Sequence, residues 1–283
     1  MPISILTNES SSLAVVSLNK AEQLHQENIS RLSSGSRING LSDDSGAHSV
    51  SLKLTSALKR NAASQANVSN ALSFLQAQAG GLKTLSAVLN RMSELVTLMK
   101  DQTKDAVALD NYVAEMSRLS AEIDKVRNGQ FNGVDLFNHG GSPAPLSVQL
   151  SDDGTQFMDL TISDLASAAF EAIIAHCGTF SEIDPRGDSG GLGDVAFMTA
   201  TEELSTLMAN NGSQQSRLEF VLGSLGSAST DTEAANSRIS DVDVAKESTR
   251  LSRSSMTQEA RIKALSQANS ASQLALKLIQ QQG

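Results

Sequence analysis

Four histidines, one cysteine and several closely set carboxylates are the residues of this 283-residue chain whose types could do chemistry. Metal chemistry needs ligands brought to one point, as HExxH or paired CxxC spacings do. His25, His48, His139 and His176 show no such spacing. His25 lies on a helical stripe and reads as a half-buried helix-contact residue. SDDGT at 151–155 resembles part of a calcium loop, but the alternation on both sides of it reads as a hairpin turn. There is no GxxxxGK[ST] and no strand-borne GxGxxG to cradle a phosphate. Cys177, in AAFEAIIAHCGTF, has His176 beside it. Adjacent residues on a helix point in different directions, so the expectation is a small buried hydrophobe, not an activated thiol. RGD at 186–188 and the NxS/T matches at Asn8, Asn28, Asn67 and Asn211 are short enough to arise by chance. No nucleophile, base and orienting group come together, so neither catalysis nor a cofactor is expected.

The remaining charged cluster is RLSSGSRINGLSDDSGAHSV at 31–50, with Arg31, Arg37, Asp43, Asp44 and three glycines. It interrupts a long helical pattern. The glycines, Gly35, Gly40 and Gly46, suit a bend. Asp43 or Asp44 suits the N-cap of a following helix. The arginines are expected to pair with those aspartates or with Asp241 and Asp243 far along the chain.

What must position these residues is almost all helix. Before the interruption, Ala14, Leu18, Ala21, His25, Ile29 and Leu32 step by three and four. After it, Leu58, Ala62, Gln65, Val68, Leu72, Leu75, Ala79, Leu82, Leu85, Leu89, Met92, Val96 and Met99 do the same, straight through Gly80-Gly81. A helix over 45–100 would be roughly 80 Å long and would need partners along its whole face. Leu109, Val113, Met116, Leu119, Ile123 and Val126 mark a further helix, ended by Asn128-Gly129. LSVQL (146–150) and FMDLTI (157–162) alternate as a β-hairpin. A short helix is expected over about 164–176, then a Gly-rich loop at 183–194. Helix resumes near Val195 and runs to about 238, with a break or bend near Asn211-Gly212. The last 40 residues carry a heptad-like seam through Val244, Leu251, Ile262, Leu265, Leu276 and Ile279, nearly half polar. Six large aliphatics cannot order some 40 residues alone, so both ends are expected to fold fully on association.

Composition agrees with long packed helices. Apolar residues make up 40% and aromatics 3%, with no Trp and one Tyr. A net charge of -9 argues against nucleic acid. No apolar run is long enough to insert in a membrane. The N-terminus lacks the basic and apolar regions of a cleavable signal, so the chain either stays in the cytoplasm or leaves by a route that cleaves nothing.

Three stretches carry a resemblance. LNKAEQLHQENISRLSSGSRINGLSDDSGAHSVSLKL is similar to the N-terminal region of bacterial flagellin, with its ERLSSGxRINxxxDDxAG pattern. EIDKVRNGQFNGVDLF (122–137) resembles that family's EIDRVxxxxxFNGxxLL. ANSRISDVDVAKESTRLSRSSMTQEARIKALSQAN (235–269) resembles SRIxDxDxAxExxxLxxxxILxQAxxxxLAQAN. Together they cover roughly 1–162 and 195–279. The resemblance implies a mainly α fold: a long antiparallel coiled-coil or bundle rod with a small β-hairpin region, and terminal helices forming the inner core of a filament. It divides the chain into 1–44 and 240–283 (inner core), 45–162 and 195–239 (rod), and 163–194 (a short variable solvent-facing segment). Residues 33–46 would connect the two layers.

The implied function is the structural subunit of the extracellular bacterial flagellar filament, exported without a cleavable signal. Its implied partners are further copies of itself in a helical homopolymer, the flagellar type III export apparatus, a flagellin export chaperone, the filament cap and the hook–filament junction proteins. The self-assembly seam would hold Leu18, Ile29 and Leu32 with the six C-terminal aliphatics. In some members an Arg, a Leu and a Glu are read by the animal Toll-like receptor 5. The matching positions are Arg91, Leu95 and Glu115, but Met92 and Ser93 replace a Val-Arg pair, so weak activation is expected. Two further departures are Ser272 in place of a Pro and Met256-Thr257 in place of Ile-Leu. The competing readings are a hook–filament junction protein of the same superfamily and a chemoreceptor-like helical signalling rod, which would lack the hairpin.

Overall fold

A computed structural model of the chain describes residues 8–138, 140, 145–179 and 194–280. His139, the Gly-rich loop with its RGD, the first seven residues and the QQG end lie outside the described residues, as do the side chains of His176, Cys177, Ser272, Leu276 and Ile279.

Six helices and three two-stranded pairings are described. They fall into two compact units, one of 1–56 with 231–283, the other of 57–230. Helix α1 (Glu9–Ser34) is opened by Asn8, whose side chain accepts from the Ser11 amide at 3.1 Å. Helix α2 (Ser45–Met99) runs through Gly80-Gly81 unbroken. Helix α3 (Ala106–Arg127) is capped by Asp105 and stops at Asn128. Helix α4 is Ala168–Thr179, α5 is Asp194–Ser240 and α6 is Val244–Gln280.

The core of the 57–230 unit is built along α2. Its buried positions are Asn61, Ser64, Val68, Ala71, Leu75, Gln78, Leu82, Leu85, Leu89, Met92, Val96 and Met99. These alternate in steps of three and four, as in a heptad seam. The expected stripe matches this row without exception only from Leu82 onward. Before that, Asn61, Ser64, Ala71 and Gln78 are buried in place of the expected Ala62, Gln65, Leu72 and Ala79, each one position earlier on the helix, and Leu58 is half-buried. A second buried line, Phe74, Val88 and Leu95, flanks the first, so α2 is covered on two sides.

The buried amides of the α2 row and Ser64 are hydrogen-bonded. Gln78, fully buried, donates to the Leu136 carbonyl at 2.8 Å. Asn211 of α5 donates to the Leu75 carbonyl at 3.1 Å and to Gln78 Oε1 at 2.6 Å, and receives Gln215 Nε2 at 2.5 Å. Asn61 donates to the Leu225 carbonyl and Ser64 to that of Ser151, both at 3.2 Å. Of the break or bend expected near Asn211-Gly212, a break does not occur: Asn211 is turned inward as a bonded core residue, and α5 is continuous through it.

Short strands place the rest. β1 (Gln130–Phe131) and β2 (Val134–Asp135) form a tight hairpin with Asn132 at φ 52°, the conformation Asn-Gly turns favour. β3 (Phe137–Asn138) pairs in parallel with β6 (Ser163–Asp164), and β4 (Leu146–Gln149) antiparallel with β5 (Phe157–Leu160). Only the last hairpin is legible as alternation; two-residue strands carry no period. At its tip Asp153 accepts from Ser151 Oγ and from Thr155 N and Oγ1, and these bonds hold its carboxyl below the usual range. Buried Arg127 of α3 meets Glu171 of α4 at 2.5 Å.

Gly81 is needed where Phe137 docks: a Cβ there would stand 2.7 Å from the buried ring. A Cβ at Gly80 would meet nothing within 4 Å. Gly80→Ala should therefore stabilise the chain by roughly 0.5–1 kcal/mol through helix propensity. Gly81→Ala should destabilise it by about 1–3 kcal/mol through overpacking. Urea unfolding of the two variants beside the parent checks the opposite signs.

Candidate functional site: the connector and the terminal helix pair

The segment between α1 and α2 is a set of helix ends satisfying one another. Helix termini leave unpaired carbonyls and amides that need partners. Gly35 ends α1 in the left-handed region, φ 68°, which favours glycine. Ser36 bridges antiparallel to Asp241, with Arg37 N donating to the Ser240 carbonyl at 2.6 Å and Val242 N to the Gly35 carbonyl at 3.0 Å. The Arg37 guanidinium donates to the Ile239 carbonyl through Nη2 at 2.7 Å and Nε at 3.2 Å. A cation thus sits on the carboxyl end of α5, where the helix dipole favours it.

The two adjacent aspartates divide the work. Asp44 Oδ1 accepts from Ala47 N at 2.9 Å and caps α2. Asp43 Oδ2 accepts from Asn39 N at 3.2 Å and stands 4.0 Å from Arg31 Nη2. Asp243 Oδ1 accepts from Lys246 N at 3.0 Å, capping α6. Asp241 accepts from Ser237 Oγ at 2.6 Å and Ser240 Oγ at 3.1 Å. Of the two pairings expected for the arginines, Arg31 takes the near one, facing Asp43, and Arg37 takes neither but the Ile239 carbonyl. Asp241 is held by two serine hydroxyls and Asp243 caps α6. Gly40 lies at a bend, its carbonyl accepting from Asp43 N at 3.2 Å, though it is not in the left-handed region; Gly46 is corrected, since it lies inside α2.

Beyond the connector, α1 and α6 pack antiparallel. Asn8 Nδ2 donates to the Ala268 carbonyl at 3.3 Å, and Ser11 Oγ to Asn269 Oδ1 at 2.8 Å. Arg261 donates to the Ser17 carbonyl. His25 Nδ1 lies 3.1 Å from Ser254 Oγ, and Asn28 Nδ2 donates to the same hydroxyl at 3.3 Å. Glu247 is buried and accepts from Arg250 at 3.2 Å. In the sequence it is marked only by its place in the pattern SRIxDxDxAxExxxL.

The aliphatics expected to form one seam divide between two faces. Leu18, Leu32, Leu251 and Leu265 are half-buried. Ile29, Val244 and Ile262 are exposed, at 46%, 60% and 50%. Leu13, Val16, Met256 and Leu274 are exposed as well. The helix pair therefore joins through a largely polar and small-residue line and turns large apolar side chains outward.

In the other unit, Arg91 grips Glu115 with Nε to Oε1 at 2.7 Å and Nη2 to Oε2 at 3.2 Å, and reaches Glu94 at 2.8 Å. Those bonds hold the Glu115 carboxyl below its usual range and the Arg91 proton more tightly than usual. Leu95, the residue expected between them, is fully buried in the core. Among the described residues no group of three His, Cys, Asp or Glu could hold a metal, and no helix is long and apolar enough to cross a membrane.

Left-handed Gly35 and open Gly40 give a local check. Gly35→Ala should cost about 1–2 kcal/mol, since a Cβ disfavours that region. Gly40→Ala, with its nearest neighbour atom 3.6 Å away, should be close to neutral. Thermal unfolding of the two variants measures the difference.

The model of the bacterial flagellin N-terminal helical region matches residues 5–141, and that of the C-terminal helical region residues 196–279. Flagellin of Halalkalibacterium halodurans is 30% identical over 262 residues, covering 90% of this chain and 91% of that protein. Flagellin of Bacillus subtilis is 29% identical over 280 residues, covering 90% and 92%. A solved structure of a putative flagellar hook-associated protein from Vibrio parahaemolyticus superposes with a TM-score of 0.59 at 16% identity, over 70% of this chain and 100% of that one, and shares its fold. Two matched regions and full-length relatives at this identity place the chain in the bacterial flagellin family.

Proposed function

We propose that the chain is a structural subunit that polymerises into the extracellular bacterial flagellar filament, and that it does so through its terminal helix pair. One observation carries the second part. The α1–α6 pair spends its polar and small side chains on its own line of contact and leaves Leu13, Val16, Ile29, Val244, Ile262 and Leu274 facing out. Each large aliphatic buried against another copy contributes about 1.5–3 kcal/mol. Such a surface has little use in a monomer and a direct use in a homopolymer.

Full-length likeness to flagellins supports a filament subunit over a hook–filament junction protein, and the β4–β5 hairpin separates the chain from a purely helical signalling rod. The family is structural, and we assign no catalysis. The flagellar type III apparatus, an export chaperone, the filament cap and the junction proteins complete the proposed partners, with export leaving the N-terminus uncleaved. Residues 33–46 serve as the connector between the layers of the filament.

Ile262→Asp should leave the unfolding free energy of the monomer within the range of an ordinary surface substitution, about ±0.5 kcal/mol, yet abolish sedimentable filaments. Leu265→Asp, half-buried between the helices, should lose filaments and loosen the monomer as well. Deleting 240–283 should abolish polymerisation while the 57–230 core keeps its cooperative melt.

Arg91, Leu95 and Glu115 make a poor receptor epitope. Two of the three are committed to each other and the third is buried. Pure monomer should activate a Toll-like receptor 5 reporter cell weakly or not at all. Full potency would contradict this.

A further inference from the structure

The net charge of -9 is not shared between the two units. Residues 1–56 with 231–283 hold 11 acidic and 11 basic side chains; residues 57–230 hold 20 and 11, and carry the whole excess. Copies meeting through the 57–230 unit repel unless they meet where charge is scarce. From Asn61 to Leu82, α2 has no ionisable side chain. Its exposed positions there include Ala62, Ala63, Ala66, Asn67, Asn70 and Ser73, all short.

Phe220 of α5 stands out at the same level. The Asn61–Leu225 and Asn211–Leu75 hydrogen bonds fix α5 antiparallel to this part of α2, so residue 220 falls between the two cross-links. Its ring is 79% exposed, while Phe74, Phe137, Phe170 and Phe197 are buried. A lone exposed apolar side chain is ordinary. An aromatic held outward on a packed helix, level with an uncharged face of short side chains in an otherwise acidic unit, is a knob beside a face short enough to seat one.

We propose that Phe220 is an intersubunit contact, docking on the Ala62–Ser73 face of α2 in a laterally neighbouring copy. This rests on the filament reading. Knob and seating face are different surfaces, so every bound copy still offers one of each, and the contact propagates without closing a dimer. The unit that carries the net charge thereby approaches its neighbour through an uncharged face of α2 and a stretch of α5, 204–230, whose only charges, Arg217 and Glu219, cancel.

The test uses full-length chains in a Cys177→Ser background. A Phe220→Cys chain and an Ala66→Cys chain are copolymerised and treated with a short bis-maleimide. Linked pairs are expected in mixed filaments, and not in monomers or in filaments of either chain alone. Filaments without a mixed link, or Phe220→Cys linking to itself, would overturn the contact while leaving the filament reading in place. Phe220→Ala, which removes the ring without the crosslinker, should raise the critical concentration about tenfold or more with no change in monomer unfolding. An unchanged critical concentration would also overturn it. Failure of the unsubstituted chain to polymerise would sink the filament reading itself, and this contact with it.

Discussion

One row of positions on α2, spaced alternately by three and four residues from Asn61 to Met99, is the constraint on which the 57–230 unit depends. Its upper part is aliphatic and methionine-rich and supplies burial. Its lower part carries Asn61, Ser64 and Gln78, which supply little burial but fix alignment. A buried amide must find its partners or lose more than it gains, so the Gln78–Asn211–Gln215 layer allows one axial setting of α5 on α2. The same row admits the strands. Gly81 opens the space that Phe137 fills, which positions β3 and, by parallel pairing, β6.

The terminal unit follows a different logic. Its helix ends are closed by local chemistry: Asp44 on α2, Asp243 on α6 and Arg37 on the last carbonyls of α5. Its two helices meet through serine, asparagine, histidine and alanine together with four half-buried leucines, and the unit has no net charge to oppose close approach. Local capping sets where the helices begin. In the polymer proposed above, neighbouring copies complete the stability that the weak line between them leaves short.

Long periodic elements were legible in the sequence. α2, α3 and α6, the β4–β5 hairpin and the interruption at 35–44 all follow from spacing and turn residues. The polar half of the α2 row was not, because hydrophobic periodicity cannot distinguish a buried Gln78 from an exposed Gln76. A heptad count that admitted amides would have found it. The continuity of α5 through Asn211-Gly212 was hidden for the same reason: a dipeptide that usually marks a turn is here a bonded core residue beside a tolerated glycine. In the connector, the Asp44 cap and the nearness of Arg31 to Asp43 were legible, and the partner of Arg37 was not. An arginine near aspartates suggests ion pairs, but unpaired helix-end carbonyls and amides compete for the same groups and win, since leaving them bare costs more than an exposed ion pair returns. The division of the aliphatic seam into inward and outward faces was likewise beyond the pattern, which gives a stripe but not the exact rotation at which α1 and α6 meet.

The central claim is that the 57–230 unit is stable by itself while α1 and α6 are completed by assembly. Amide hydrogen exchange, compared between monomer and filament, tests it most directly. The account predicts strong protection of residues 61–99 in both states, and of α1 and α6 only in the filament. Equal protection of α1 and α6 in monomer and filament would contradict it.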